Sequence, residues 1–244
     1  MIEKISCLPQ FPMSGSVSVR IRSLFNAYGG TLLRLYAQSQ GDEITALMAV
    51  LGSGCTLAVN SDADFAELRS FLAFLGVEVF CGSEVFEELG VEECEKAVLL
   101  RWQGDALSTL EEASVKTSSI YDLLKNGDDG DIELPCFDEW YADYCIRRNH
   151  KSAEHFAING AVAVAGFVTE DEALITGVAV EKTQRKKGLG TAVLHGLVAK
   201  LHEQGLKNDI FVCAKRNKAL FYEKAGFEAI GQVAVKKLRC KDVF

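Results

Sequence analysis

The sequence predicts a mixed α/β protein built from two related units, on three observations. β-rich runs and amphipathic helical runs alternate along the chain. A segment at residues 84–92 recurs at residues 220–228. A basic, glycine-bearing loop at residues 181–191 joins a strand-like run to a helix.

The chain has 244 residues, enough for one large domain or two small ones. At 48% hydrophobic and 25% charged residues, it has the composition of a globular protein with a sizeable core. No run of eighteen or more apolar residues occurs, so no transmembrane helix is expected. Met1-Ile2-Glu3-Lys4 lacks the basic-then-apolar order of a secretory leader, and a cytoplasmic location is expected.

In the first part, Thr31–Ser39 and Ile44–Leu51 resemble paired strands, and Gly52-Ser53-Gly54 a turn. Cys55–Asn60 reads as a third strand. Asp62–Leu75 is helical, with Phe65, Leu68, Phe71, Leu72 and Leu75 on one side. Val77–Cys81 reads as a strand, and Glu84–Leu89 as a short helix ending at Gly90.

In the second part, Ser118–Asn126 and Phe137–Arg148 read as helices, with Leu134-Pro135 as a break before the second. Three strands follow, Ala153–Asn159, Ala161–Thr169 and Ala173–Val180, the first two joined by an Asn159-Gly160 hairpin. After the loop from Glu181 to Gly188, a helix runs to about His202, with Val193, Leu194, Leu197, Val198 and Leu201 on one stripe. Asp209–Ala214 is a strand, Lys218–Ala225 a helix closed by Gly226, and Glu228–Leu238 the last strands.

The recurring segments, Glu84-Val85-Phe86-Glu87-Glu88-Leu89-Gly90-Val91-Glu92 and Leu220-Phe221-Tyr222-Glu223-Lys224-Ala225-Gly226-Phe227-Glu228, occupy matching places in the element order. The expected division is therefore residues 1–94 and 95–244.

The net charge of −8 argues against nucleic acid or anionic membrane as a partner. It is concentrated in residues 1–94, with 5 Lys+Arg against 12 Asp+Glu. The eight cysteines include no C-x-x-C pair. They read as reduced thiols packed as small hydrophobes, with no metal expected. His195 and His202, seven apart on one helix, read as solvated or capping side chains.

The loop carries the chemistry. A strand, Val178-Ala179-Val180, enters a basic segment, Arg185-Lys186-Lys187-Gly188-Leu189-Gly190-Thr191, which opens a helix. Amides of such a loop and first turn lack intrahelical acceptors and form an anion site. Gly188 and Gly190 permit close backbone approach to a phosphate, and the three basic side chains supply positive charge. The competing reading is a solvated basic turn before an ordinary helix. Neither the dinucleotide fingerprint nor a P-loop is present.

Arg185-Lys186-Lys187-Gly188-Leu189-Gly190 after Val178-Ala179-Val180, and Phe221-Tyr222-Glu223-Lys224-Ala225-Gly226-Phe227 after the next strand, resemble the two signatures of the GNAT superfamily of acetyl-CoA-dependent N-acyltransferases. The resemblance covers about residues 95–244. It implies a GNAT-like fold and transfer of an acetyl group from acetyl-CoA, or another acyl-CoA, to a small-molecule or protein amine. It also implies that the backbone of Val178, Ala179 and Val180 pairs with the pantetheine arm. Amides from Arg185 to Thr191 would hold the pyrophosphate, and Tyr222 would protonate the departing thiolate.

Where many members carry a cofactor-contacting asparagine, this chain has Lys215, while Asn217 lies two residues on and is retained as a cofactor candidate. Ala173–Val180 holds no carboxylate, which leaves Glu170, Glu172 and Asp143 as candidate bases or as plain surface acids. Trp102, Trp140, Tyr141 and Tyr144 suit either an acceptor pocket or the core.

In residues 1–94 the loop position is acidic, Asn60-Ser61-Asp62-Ala63-Asp64, and Phe86 stands where Tyr222 stands. That part reads as a degenerate, non-catalytic copy. The rival function is a non-catalytic acyl-CoA-binding regulatory module.

Overall fold

The computed structural model describes residues 1–91, 94–104, 111–127 and 134–238. In chain order the elements begin β1 (Ile2–Ile5), α1 (Gly15–Tyr28), β2 (Arg34–Gln40), β3 (Glu43–Leu51), β4 (Gly54–Val59), α2 (Phe65–Leu75), β5 (Glu78–Gly82), α3 (Ser83–Glu88) and β6 (Glu95–Trp102). They continue α4 (Thr117–Gly127), α5 (Phe137–Asn149), β7 (Glu154–Ile158), β8 (Ala161–Val168) and β9 (Ala173–Val180). A 3₁₀ turn (Lys182–Gln184) precedes α6 (Leu189–Glu203), β10 (Ile210–Ala214), α7 (Arg216–Lys224) and β11 (Phe227–Lys237). These residues pack as two compact units that interleave along the sequence. The first holds residues 1–99, 214–217 and 230 onward; the second holds 100–213 and 218–229.

In the first unit the strand order is β1-β2-β3-β4-β5-β11, antiparallel except for the parallel pair β4–β5. β3 is buried from Thr45 to Val50, the pattern of a strand covered on both faces. One face, with Ala46, Met48 and Val50, packs on Leu68 and Leu72 of α2 and on Phe86 of α3. α2 starts at Asp64, whose carboxylate accepts the Glu67 amide at 3.0 Å, and stops at Gly76 in the left-handed region.

The second unit contains the order β10-β9-β8-β7, with β7–β8 and β8–β9 antiparallel and β9–β10 parallel. The expected Asn159-Gly160 hairpin forms, with Ile158 opposite Ala161 and Gly160 at φ +79°. Successive strand residues face opposite ways. Ala157, Val162 and Ala179 pack under Ile120 and Leu124 of α4 and Trp140 and Tyr144 of α5. Phe156 turns to the other face, where its ring lies against Gly196 of α6, a position whose Cβ would come within 2.3 Å of it.

This is the mixed α/β fold the sequence predicts. The sequence assigned no element to β1, α1 or β6. The expected last strands, Glu228–Leu238, form one continuous strand, Phe227–Lys237.

Candidate functional site

β9 and its parallel neighbour β10 are in register only at the start, from Ala173↔Ile210 to Ile175↔Val212. On the other side, the pairing with β8 is irregular between Gly177↔Val164 and Leu174↔Phe167: Ala165 faces Ile175, and Thr176 and Gly166 are both passed over. The two approach closely, since a Cβ at Gly166 would lie 2.6 Å from the Thr176 hydroxyl. Beyond this irregularity, Gly177, Val178, Ala179 and Val180 take register partners on β8 alone among the described strands. One backbone edge of β9 is thereby open over the residues expected to receive a pantetheine arm.

At the end of β9 the Glu181 amide donates to Gly160 O at 2.8 Å, and the 3₁₀ turn carries the chain toward α6. Lys186 takes φ +62°, in the region that favours glycine, and Gly188 takes φ +79° as the N-cap of α6. A Cβ at Gly188 would meet nothing within 4 Å, so the backbone there faces open space. The fifteen-residue helix α6 has no side-chain cap at its N-terminus. Its first helical bond is donated by Ala192 to Gly188 O at 3.0 Å, so the amides of Leu189, Gly190 and Thr191 precede the helical ladder. Lys186 and Lys187 are exposed, with Lys187 Nζ donating to Gln184 Oε1 at 3.0 Å. Arg185 goes the other way. Its guanidinium donates to Gly127 O at 2.7 Å and to Val180 O at 3.4 Å.

Tyr222 lies on α7, half-buried, edge-on to Phe221 at 4.9 Å between centroids and to Phe227 at 6.0 Å. Phe221 ties this helix to the loop. A Cβ at Gly190 would meet the Phe221 ring at 3.3 Å and Val180 Cγ2 at 3.5 Å, so Gly190 lies where α7, β9 and α6 come together. His195 of α6 caps the other end of α7, its Nε2 2.8 Å from Ala225 O. Sequence reasoning missed Phe221 and Gly127 as parts of this site. The aromatic doublet before Glu223 was the available signal for the first; Gly127 had none.

Asn217 and Lys215 are exposed at the start of α7 and belong to the first unit. Glu170 and Glu172 sit in the turn before Ala173, where Glu172 O accepts the Thr169 amide. That end of β9 lies about 23 Å from Val180 at 3.3 Å per residue. Asp143 is held by Arg147 at 3.0 Å on α5. Glu170 and Glu172 thus lie at the opposite end of β9 from the loop. Trp140 and Tyr144 stack at 4.8 Å in the core, while Trp102 packs on Phe227 at 5.0 Å.

A partly buried polar network occupies the far end of α6. Arg148 pairs with Glu154, and Lys200 Nζ lies 3.2 Å from the same carboxylate and 2.7 Å from Glu112. Tyr144 Oη and Arg148 Nη1 approach His155 Nδ1 at 2.6 and 2.8 Å. A guanidinium only donates, so Nδ1 carries the lone pair and the ring is neutral with its proton on Nε2. Burial, reinforced by Arg148 and Lys200, lowers the His155 pKa to about 4. Burial opposes ionisation of Glu154, but bonds from Gln204 and the His155 amide, with the Arg148 and Lys200 charges, leave its pKa lowered. Sequence reasoning did not single out this network.

The seven described cysteines are free thiols, and burial pushes Cys55 up to about 12; Cys240 lies outside the described residues. Among the described residues no group of three or more His, Cys, Asp or Glu side chains is arranged to hold a metal ion. No described helix is long and apolar enough to cross a membrane.

The sequence profile of the Acetyltransferase (GNAT) domain matches residues 129–238. No curated protein matches the chain. Similar solved structures include a GCN5-related N-acetyltransferase from Kribbella flavida, with TM-score 0.61 and 13% identity, covering 91% of this chain and 95% of that one. A tandem GNAT protein from the clavulanic acid biosynthesis pathway, without AcCoA, aligns with TM-score 0.56 and 12% identity over 93% of this chain and 89% of its own. An acetyltransferase of the GNAT family from Colwellia psychrerythraea aligns with TM-score 0.54 and 14% identity over 98% and 100%. At these identities the likeness is one of fold.

Proposed function

We propose, from the match of residues 129–238 to the Acetyltransferase (GNAT) domain, that the chain moves an acetyl group from acetyl-CoA directly onto an amine. The observation that carries this reading is the open edge of β9 leading straight into the uncapped N-terminus of α6. A pantetheine arm completes the ladder of Gly177–Val180 as an added strand would. The amides from Gly188 to Thr191 receive the pyrophosphate, in the field of Lys186 and Lys187.

The reaction needs little else from the protein. The amine arrives neutral and its nitrogen attacks the thioester carbonyl carbon. A strand amide holds the developing oxyanion. As the tetrahedral intermediate collapses, the C–S bond breaks with its electron pair on sulfur, and the Tyr222 phenol gives that thiolate a proton. The amine proton leaves to water, and the phenolate is reprotonated from solvent. Binding both reactants in line supplies the proximity term. No residue becomes acylated.

The test is thermal unfolding with acetyl-CoA, CoA and ATP, on the wild type and on Gly188→Glu. A ligand at 100 times its Kd adds roughly 2.7 kcal/mol to stability. Acetyl-CoA and CoA are expected to raise the wild-type melting point and ATP to do much less. The variant, whose side chain enters open space but strains the backbone at φ +79° and sets a carboxylate at the helix start, is expected to melt lower and to lose the shift. Thiol release against a panel of amines then separates an enzyme from a binding module, which holds acetyl-CoA without releasing CoA. A wild type indifferent to acetyl-CoA sinks the reading.

A further inference from the structure

The loop's three basic side chains divide into two roles. Lys186 and Lys187 face solvent, as phosphate-facing cations would. Arg185 is half-buried and donates instead to two backbone carbonyls, Gly127 O at 2.7 Å and Val180 O at 3.4 Å. These carbonyls come from elements far apart in sequence. Gly127 is the last residue of α4, where a helix leaves carbonyls without intrahelical partners. Val180 is the last residue of β9.

The two ends are also in direct contact. A Cβ at Gly127 would lie 3.1 Å from Ala179 Cβ, 3.2 Å from Val180 O and 3.3 Å from Val180 N. The backbone of α4 therefore rests on the backbone of β9 at the residues that bear the open edge. A planar guanidinium suits such a bridge, because its N–H groups diverge in a fixed fork; a lysine ammonium offers a point charge instead. The cation also meets the negative end of the α4 dipole.

We infer that Arg185 is a positioning residue: its guanidinium clamps the C-terminus of α4 to the end of β9 and so holds the edge of Val178–Val180 in the shape that receives the acyl-pantetheine arm, without itself binding the pyrophosphate. This rests on the acyl-CoA reading above, and it splits the loop's basic triplet into a structural arginine and two phosphate-facing lysines. Gly127 is the second half of the clamp, being the residue that lets the two backbones touch.

Two fragments of acetyl-CoA separate this role from a phosphate contact. Acetyl-pantetheine carries the arm and thioester without phosphate; 3′-phosphoadenosine 5′-diphosphate carries the phosphates without the arm. Their dissociation constants, with that of acetyl-CoA, would be measured on the wild type, Arg185→Ala, Arg185→Lys and Gly127→Ala, with Lys187→Ala as the reference. Loss of charge-assisted bonds of this kind is worth about tenfold or more. The three clamp variants are expected to weaken acetyl-pantetheine and acetyl-CoA by similar factors, about tenfold, and to leave the phosphate fragment within about twofold. Lys187→Ala should do the reverse. A merely structural defect would weaken both fragments together, and Gly127→Ala, which removes no charge, covers the case in which Arg185→Ala fails to fold.

The inference is overturned if Arg185 variants weaken the phosphate fragment as much as acetyl-CoA while acetyl-pantetheine binds normally. A wild type that binds neither fragment nor acetyl-CoA overturns the acyl-CoA reading, and this inference with it.

Discussion

The two units run through the same elements, strand, helix, parallel strand, short helix, and differ where a ligand would sit. β4 pairs with β5 at Gly54, Cys55 and Thr56, as β9 pairs with β10 at three residues, but β4 keeps an unbroken register with β3 where the pairing of β9 with β8 is irregular at Thr176 and Gly166. At the end of that pairing the first unit is filled by its own side chain. Arg20 Nε donates to Thr56 Oγ1 at 3.2 Å, and its guanidinium lies 4.2 Å over the Phe80 ring. The helix that follows also differs. α2 is capped by Asp64, itself held by Gln38, whose Oε1 accepts the Asp64 amide at 2.9 Å and whose Nε2 donates to Glu67 at 2.8 Å. α6 begins at a bare glycine. One helix start has answered its own orphan amides with protein oxygens; the other has left them to something anionic.

Four experiments test the contrast, from the largest effect to the smallest. Phe86, fully buried, is core, while its counterpart Tyr222 is half-exposed. Phe86→Ala is expected to cost about 3–5 kcal/mol of unfolding free energy by denaturant titration, and Tyr222→Ala well under half of that. Equal costs would erase the distinction. Tyr222→Phe makes the second unit resemble the first. Its kcat should fall about 100-fold, the scale of a lost general acid, with the acetyl-CoA Kd nearly unchanged; an unaltered kcat would remove Tyr222 from the chemistry.

The third concerns pH. His155 titrates near 4 in the folded protein against an ordinary 6.5. Between those values the unfolded chain binds the extra proton, so stability is whole above pH 6.5 and declines as pH falls toward 4, by up to about 3 kcal/mol. Glu154, with its lowered pKa, adds a further loss below its ordinary 4.5. His155→Asn should flatten the slope above pH 4.5; a wild-type stability flat from pH 7 to 4 would contradict the buried neutral ring. Smallest is the cap itself. Asp64→Ala is expected to cost about 1 kcal/mol without creating any affinity for acetyl-CoA. If that variant gained acetyl-CoA binding, the cap alone would account for the difference between the units.

Local pattern made much of this legible. Ala173–Val180 was read to the residue, and the Asn159-Gly160 hairpin, α6 and the Gly226 stop followed from period and glycine placement. α1 was not assigned. Its Val17-Ser18-Val19-Arg20-Ile21-Arg22 stretch alternates like a strand, and the helix is set by packing that buries Val19, Ile21, Leu24 and three serines. β6, charged at its first two residues and then continuously apolar from Ala97 to Leu100, gave no alternating period. At the site, the glycines and the tyrosine could be found from spacing. The direction of the Arg185 side chain could not, because its acceptor Gly127 is 58 residues away.

The strand that borders β5 is β11, and the paired residues Val233–Lys237 are among the last of the described chain. During synthesis residues 78–82 emerge from the ribosome with that edge bare, and it stays unpaired until residues 233–237 have followed. An open edge of this kind invites pairing with other nascent chains. The first unit's sheet therefore stays incomplete while the second unit is made, and its exposure to misassembly is set by the time that intervening synthesis takes.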